Sequence, residues 1–327
     1  MKLTSKEATI LACVELHAND PISTCQKQTG YREHAIRYVL QKLEDQGAIR
    51  KVPFVDMYPL GYQDFGLYFS LASLQSKAKT DLLRILSHSP FITLLLELGG
   101  DYQYCAGMYV KHISEFMDIL DRLSEQAPQL FFDKSFTMRV SMTRFRRKYL
   151  CPDLPIETMS FGENKEQVNI DTLDEKILFG LSKHGSCSQR ELATKTGVPF
   201  STLHYHLSEL TRKQIFRGMT YAITPSAIGM QAFQILIYAK GLRHRFQEEL
   251  FAFVRDDPRG VYFVRCIGAW DFEIGVEVER AEEVTGFAQS LYEQLGNDIS
   301  GLKILPVFAF LKYAFFRPSH DFLKQDR

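Results

Sequence analysis

Apolar residues near the start of the chain recur at three- to four-residue spacing in short blocks, the period of an amphipathic helix. Ile10, Leu11 and Val14 make the first block, Thr4 or Ser5 is placed to cap it, and Asp20-Pro21 breaks it. A short helix from about Ile22 to Gln28 leads to a turn at Thr29-Gly30. A third helix, from about Arg32 to Gln46, sets Ile36, Val39, Leu40 and Leu43 on one face. Gly47 ends it, and Ala48–Val52 reads as a strand entering a wing. The segments beyond alternate between strand and helix. Phe65–Leu74 reads as a strand, Lys77–Leu86 as a helix, Phe91–Leu98 and Tyr102–Val110 as strands, Ser114–Gln126 as a helix and Phe131–Thr143 as a last strand.

The whole pattern then repeats at a shift of 167–168 residues. Ile10-Leu11 returns as Ile177-Leu178, Thr29-Gly30 as Thr196-Gly197, Tyr38 as Tyr205 and Leu43 as Leu210. Gly61, Gly100 and Gly107 return as Gly229, Gly268 and Gly275. Asp171 caps the helix carrying Ile177, Leu178 and Leu181; a break follows at His184-Gly185-Ser186, and a second helix starts near Ser188. The third carries Leu203, Leu207 and Leu210. Strand and helix then alternate as Phe233–Ala239, Arg243–Arg255, Val261–Ile267, Phe272–Val278, Glu282–Leu295 and Lys303–Phe316.

Helix, helix, glycine turn, helix, strand is the order of a winged helix-turn-helix, and βαββαβ is that of a ferredoxin-like sheet with two helices on one face. The expected class is α+β, with two tandem copies of this pair. The boundaries are 1–52 and 169–219 for the winged helices, and 53–150 and 220–327 for the sheet domains. A linker spans 151–168, marked by Pro152, Pro155, Gly162 and mixed charge. Two copies of one module favour two-fold geometry, which suits a palindromic partner.

Composition narrows the chemistry. Lys and Arg number 39, as do Asp and Glu, so a globally polybasic nucleic-acid binder is excluded but a local patch is not. Such patches exist: six basic residues against three acidic between Lys27 and Lys51, and six against two between Lys183 and Arg217. The outward residues there are Arg32, His34, Arg37 and Tyr38 in copy 1, and Ser201, Thr202, His204, Tyr205 and His206 in copy 2. Arg50, Lys51 and Arg217 lie at the wing. Arginine can bond guanine bidentately, and Ser, Thr and His can reach base edges or phosphates. Arg139, Arg144, Arg146, Arg147 and Lys148 form a basic run with two readings, phosphate contact or a solvated edge strand.

Six scattered cysteines with no Cys-x-x-Cys pair read as buried thiols in a reducing compartment. The first residues carry no apolar signal segment, and no run has the length of a membrane span, so the expected location is the cytoplasm, with no membrane partner. Phosphate-cradling loops, zinc-protease motifs and nucleophile elbows are absent from the sequence. No catalytic residue, cofactor or metal is assigned, and the chain is expected not to be an enzyme.

Three segments resemble the leucine-responsive/asparagine-synthase regulator (Lrp/AsnC) family. They are Ile49-Arg50 with Phe216-Arg217-Gly218, Pro225-x-x-Ile228-Gly229 with Tyr58-Pro59-Leu60-Gly61, and Gly268-Ala269-Trp270-Asp271-Phe272. The resemblance implies a fused tandem that binds double-stranded DNA as a sequence-specific regulator. It also implies pairing of the sheet domains, within or between chains, and an amino-acid effector at that pairing. The implied effector residues are Gly100, Tyr102, Gly107, Gly268, Trp270, Asp271, Phe272 and Gly275, Trp270 and Phe272 as a wall and Asp271 as an ammonium partner. Copy 1 departs from the motif with Gly100-Asp101-Tyr102-Gln103-Tyr104. The chain is also similar in build to the sirohaem decarboxylases, a tetrapyrrole-enzyme alternative, but lacks their His-Cys-Tyr-Arg-like and Trp-Pro-Tyr-Asn segments.

Overall fold

The computed structural model describes residues 2–71, 76–126, 132–162, 166–185, 187–241, 244–319 and 322–323. Ser186 and the expected element ends at Leu74, Phe131 and Arg243 lie outside the described residues.

Each repeat opens with three helices: α1 (Ser5–Val14), α2 (Ile22–Thr29) and α3 (Glu33–Asp45), then α6 (Thr172–His184), α7 (Gln189–Thr196) and α8 (Phe200–Arg212). Thr4 and Asp171 cap α1 and α6 through capping boxes with Glu7 and Asp174. Gly30 and Gly197 end α2 and α7 at φ 72° and 65°, where a side chain would be strained, and this left-handed residue aims the next helix.

The wing strands β1 (Ile49–Val55) and β7 (Phe216–Ile223) do not fold back on their own helices. They pair with each other, antiparallel, from Ile49↔Ile223 to Val55↔Phe216. The ends repeat one contact: Asp56 N donates to Ile215 O (2.8 Å) and Thr224 N to Ala48 O (2.9 Å). β1 runs past the expected end at Val52, through Pro53. In a two-stranded ribbon, proline can turn its missing donor to the free edge. Each winged helix borrows from the other: Val52, Phe54 and Val55 pack with Leu178, Leu203 and Leu207, while Tyr221 and Ile223 pack with Ile10, Leu40 and Leu43.

Copy 1 then gives β2 (Gln63–Ser70), α4 (Ser76–His88), β3 (Ile92–Leu98), β4 (Tyr104–Val110), α5 (Ile113–Gln126) and β5 (Phe132–Phe145). Between the copies lies β6 (Thr158–Phe161). Copy 2 gives β8 (Gln231–Ala239), α9 (His244–Asp256), β9 (Gly260–Gly268), β10 (Phe272–Val278), α10 (Glu283–Leu295) and β11 (Ile299–Tyr313). The strand order is β2-β4-β3-β11-β8-β10-β9-β5-β6, and β5 also pairs with β2. The two ferredoxin-like sheets therefore join at both edges into a closed barrel of eight strands, with β6 added outside. The long strands make the joins, β5 from β2 to β9 and β11 from β8 to β3. Closure removes the free edges that would template aggregation.

Alternation along each strand divides the sheet into faces. Leu67, Phe69, Leu95 and Met108 face outward under copy 1's helices, with Phe116 and Ile119 of α5. Ile235, Phe263, Ile274 and Val276 do the same with Leu250 of α9 and Phe287 of α10. Tyr68, Leu96, Cys105, Leu236, Val264 and Trp270 fill the inside.

Two expectations are corrected. The 151–168 segment is not only a linker, because β6 adds to the sheet through Met142↔Phe161 and Phe145↔Thr158. The basic run neither faces phosphate nor forms a solvated edge: Arg139, Arg144, Arg146, Arg147 and Lys148 are all buried. β5 has barrel on both sides, so its polar face is the interior. Arg146 pairs with Glu157 and donates to Pro155 O, and Lys148 bonds the Arg255 carbonyl.

Candidate functional site

On α3 and α8 the apolar stripes are buried and the opposite faces are solvent-exposed. Arg32, at the N-cap of α3, and His34, Arg37 and Tyr38 are exposed, as are Ser201, His204 and Tyr205 on α8; Thr202 is half-buried. The equivalent Tyr38 and Tyr205 are 70% and 63% exposed, so both rings are free to meet a partner surface. Arg37 lies 3.6 Å from Glu33, and His204 stacks near Phe200 and contacts Gln189 (3.3 Å). His206 does not join this face: its Nδ1 meets Asp174 Oδ1 at 2.7 Å, inside the cap of α6. At the wing, Arg50 donates to the Tyr313 carbonyl (3.0 Å), toward the barrel. Lys51 is half-buried and its ammonium pKa is lowered by burial, against the pull of Glu44, and Arg217 is half-buried too.

The second candidate is a cavity of about 130 Å³ inside the barrel. Gly107 and Gly275 line it, because their strands must leave room for neighbours. A Cβ on Gly107 would sit 3.2 Å from Arg139 Nη1 and 2.9 Å from Leu94 Cβ, and one on Gly275 would strike the Tyr262 ring at 2.1 Å. Gly100 and Gly268 are elsewhere, in the β3–β4 turn and at the end of β9, at φ 86° and 134°. The β3–β4 and β9–β10 turns bring Tyr102 and Trp270 together, ring centroids 6.3 Å apart, as a plug of the interior. Trp270 Nε1 donates to Glu273 (3.1 Å), the Asp271 carboxylate accepts from Ala239 N (2.7 Å), and Phe272 packs outward under α9. Of the eight effector residues implied by resemblance, Gly107 and Gly275 thus line the cavity, and the other six do not.

What sequence reasoning missed is the charged wall. Arg139 donates to Glu273 (2.9 Å) and lies 3.5 Å from Asp64, while Gln234 Nε2 also donates to Glu273 (3.0 Å). Arg147 forks onto Glu277 (2.7 and 2.8 Å) and also meets Glu15, the residue that ends α1. A signal was present. Glu273-Ile274-Gly275-Val276-Glu277 puts two carboxylates on one face of an otherwise apolar strand, four residues apart, and burying them calls for paired cations.

Burial pushes the Asp64 carboxyl up to about 6 from its ordinary 3.8, despite the nearby Arg139 guanidinium. The folded state therefore holds this proton more tightly. Asp64 adds no penalty below about pH 4, and one growing to about 3 kcal/mol as pH rises through 6. Asp64→Asn should lack that slope, so its stability relative to the native chain should improve between pH 4 and 7. Urea melts across this range check it; parallel profiles would refute the assignment.

The fold and the exposed helix faces define a winged helix-turn-helix protein of DNA-binding type, built around a closed barrel. Residues 170–217 match the winged helix-turn-helix DNA-binding family. Relatives lie among archaeal regulators. The HTH-type transcriptional regulator FL11 of Pyrococcus abyssi is 26% identical over 37% of this chain and 79% of its own length. Uncharacterized HTH-type transcriptional regulators of Pyrococcus horikoshii and Pyrococcus abyssi are 30% and 31% identical, each over 35% of this chain and 77% of their own length. The chain belongs to this family of HTH-type transcriptional regulators, and its motifs resemble those of the Lrp/AsnC type. Over its full length it shares a fold with the siroheme decarboxylase NirDL, at TM-score 0.59 and 12% identity, covering 98% of this chain and 96% of that one. No helix among the described residues is long and apolar enough to cross a membrane.

Proposed function

We propose that one chain acts as a complete two-headed regulator, its two winged helices reading a two-part duplex site and a small molecule in the barrel setting their placement. The observation that carries this reading is the pairing of β1 with β7, which relates α3 and α8 by a near two-fold. Arg32, His34, Arg37 and Tyr38 would read one half-site. Ser201, Thr202, His204 and Tyr205 would read another that need not match it, with Lys51 and Arg217 at the phosphates. The reading places the protein with the chromosome in the cytoplasm. Association between chains through the sheet domains, and an amino acid as effector, remain part of the proposal.

Coupling has a physical route. Arg147 and Glu277 line the cavity, and Arg147 also holds Glu15 at the end of α1. A ligand that redirects Arg147 would shift the first winged helix, which is the coupling of two sites that allostery requires.

The test is selection of bound sequences from a random duplex pool at moderate salt, using the native chain and the Arg37→Ala/His204→Ala double variant. A two-part motif should be enriched by the native chain and lost by the variant, and its affinity should fall steeply with salt. No enrichment by folded protein would overturn the reading. The full-length likeness to NirDL favours a second reading, tetrapyrrole chemistry in the same barrel. Against it, no histidine is among the described residues lining the cavity, and Arg139 and Arg147 are committed to carboxylates. A saturable shift of the sirohaem visible spectrum on titration with the chain would restore it.

A further inference from the structure

Three arginines reach the cavity from one stretch of chain, Arg139 and Arg144 on β5 and Arg147 just beyond. Arg139 and Arg147 each meet two carboxylates. Arg144 meets none among the described residues. Its side chain is buried, 7% exposed, its Nη1 is sealed from solvent with no hydrogen-bond partner, and its neighbour is the face of Phe315, 6.0 Å from the ring centroid. A second polar atom on the same lining, Gln234 Oε1, is also buried without a partner. Arginine keeps its charge at any physiological pH. A buried cation without a counter-charge is costly unless something supplies one.

The opposite wall is different in kind. Arg144 pairs across the strand with Tyr262, and the repeat-equivalent of Tyr262 is Leu94, whose partner is Tyr313. The place that carries a guanidinium in one half therefore carries an aromatic ring in the other. A site on a true two-fold would hold every group twice; this one has a single anchor facing an apolar wall.

Resting on the effector reading above, we propose that the cavity binds a small organic acid, its carboxylate paired with Arg144 and its apolar body against Val264, Val307 and Phe315. A donor on the ligand would satisfy Gln234 Oε1. The cavity would hold on the order of ten waters, which sets the ligand at roughly that number of heavy atoms.

The test uses the full chain at constant ionic strength. Probes are butanoate, hexanoate, benzoate, phenylacetate and 2-amino-hexanoate, each beside its uncharged amide, with inorganic phosphate as the non-organic anion. Calorimetry should show saturable binding of at least one carboxylate, with no binding of its amide. Arg144→Met should weaken it at least tenfold, and Arg144→Lys by less. Without ligand, Arg144→Met should melt at or above the native chain, because it removes an uncompensated charge. The proposal is overturned if no carboxylate binds at millimolar concentration, if binding survives Arg144→Met, if only phosphate binds, or if the ligand-free Met variant is clearly destabilised. Carboxylate binding that leaves duplex affinity unchanged keeps the site and removes the effector role. Absent duplex binding with intact carboxylate binding removes the DNA reading alone.

Discussion

Replacing Arg147 with Met is expected to destabilise the chain by about 3–5 kcal/mol, the cost typical of removing one side of a buried ion pair. Among the described residues Arg147 alone bridges the two buried carboxylates of Glu15, at the end of α1, and Glu277, on β10, and Tyr149 adds a further bond to Glu277. Without it, both acids lie in an apolar setting with their main counter-charge gone. They must take up protons or draw in water, and either response loosens the seat of the first winged helix on the barrel. Chemical denaturation near neutral pH measures the loss. A triple variant, Glu15→Gln/Arg147→Met/Glu277→Gln, should recover much of it, because the penalty belongs to the stranded charges rather than to absent packing. A loss below about 1 kcal/mol for the single variant would mean that solvent reaches this trio, and the proposed route from cavity to α1 would fail with it.

Phe54→Ala is expected to cost a similar ~3–5 kcal/mol, and its effect should appear in the wrong half of the sequence. Phe54 lies on β1, in copy 1, yet its ring sits 3.9 Å from Phe161 and 5.3 Å from Phe315, and its cluster is that of α6, α7 and α8. The cavity left by the missing ring opens in the second winged helix. Hydrogen exchange should therefore speed first along α8, with α1–α3 protected longer. The reverse order would show that the wings do not exchange cores in solution.

Much of the architecture was legible in the sequence. The shift of the repeat, the glycines at Gly30 and Gly197 and the capping residues Thr4 and Asp171 all report local demands of the backbone, and local demands leave local marks. The closure of the barrel left none. The basic residues from Arg139 to Lys148 look like the charges of an edge strand in water, because the sequence of one strand does not tell which of its faces meets solvent. Their meaning depends on Asp64, Glu273 and Glu277, far away in sequence. Similarly, the strand expected at Ala48–Val52 continues through Pro53 to Val55, because pairing on a single side lets a proline stand without losing a ladder bond. The turn residues Trp270 and Asp271 carry the family resemblance, but in this chain one plugs the barrel and the other bonds a neighbouring strand.

The pairing of β1 with β7 also bears on dosage. When two separate chains must meet before either can grip a palindrome, the amount of competent species falls with the square of concentration under dilution, and a cell with few copies loses control of its site. Here the two heads are joined by the chain itself, so their effective concentration is fixed by geometry. If one chain reads a two-part site as proposed, occupancy of that site should follow protein level in the first power rather than the second.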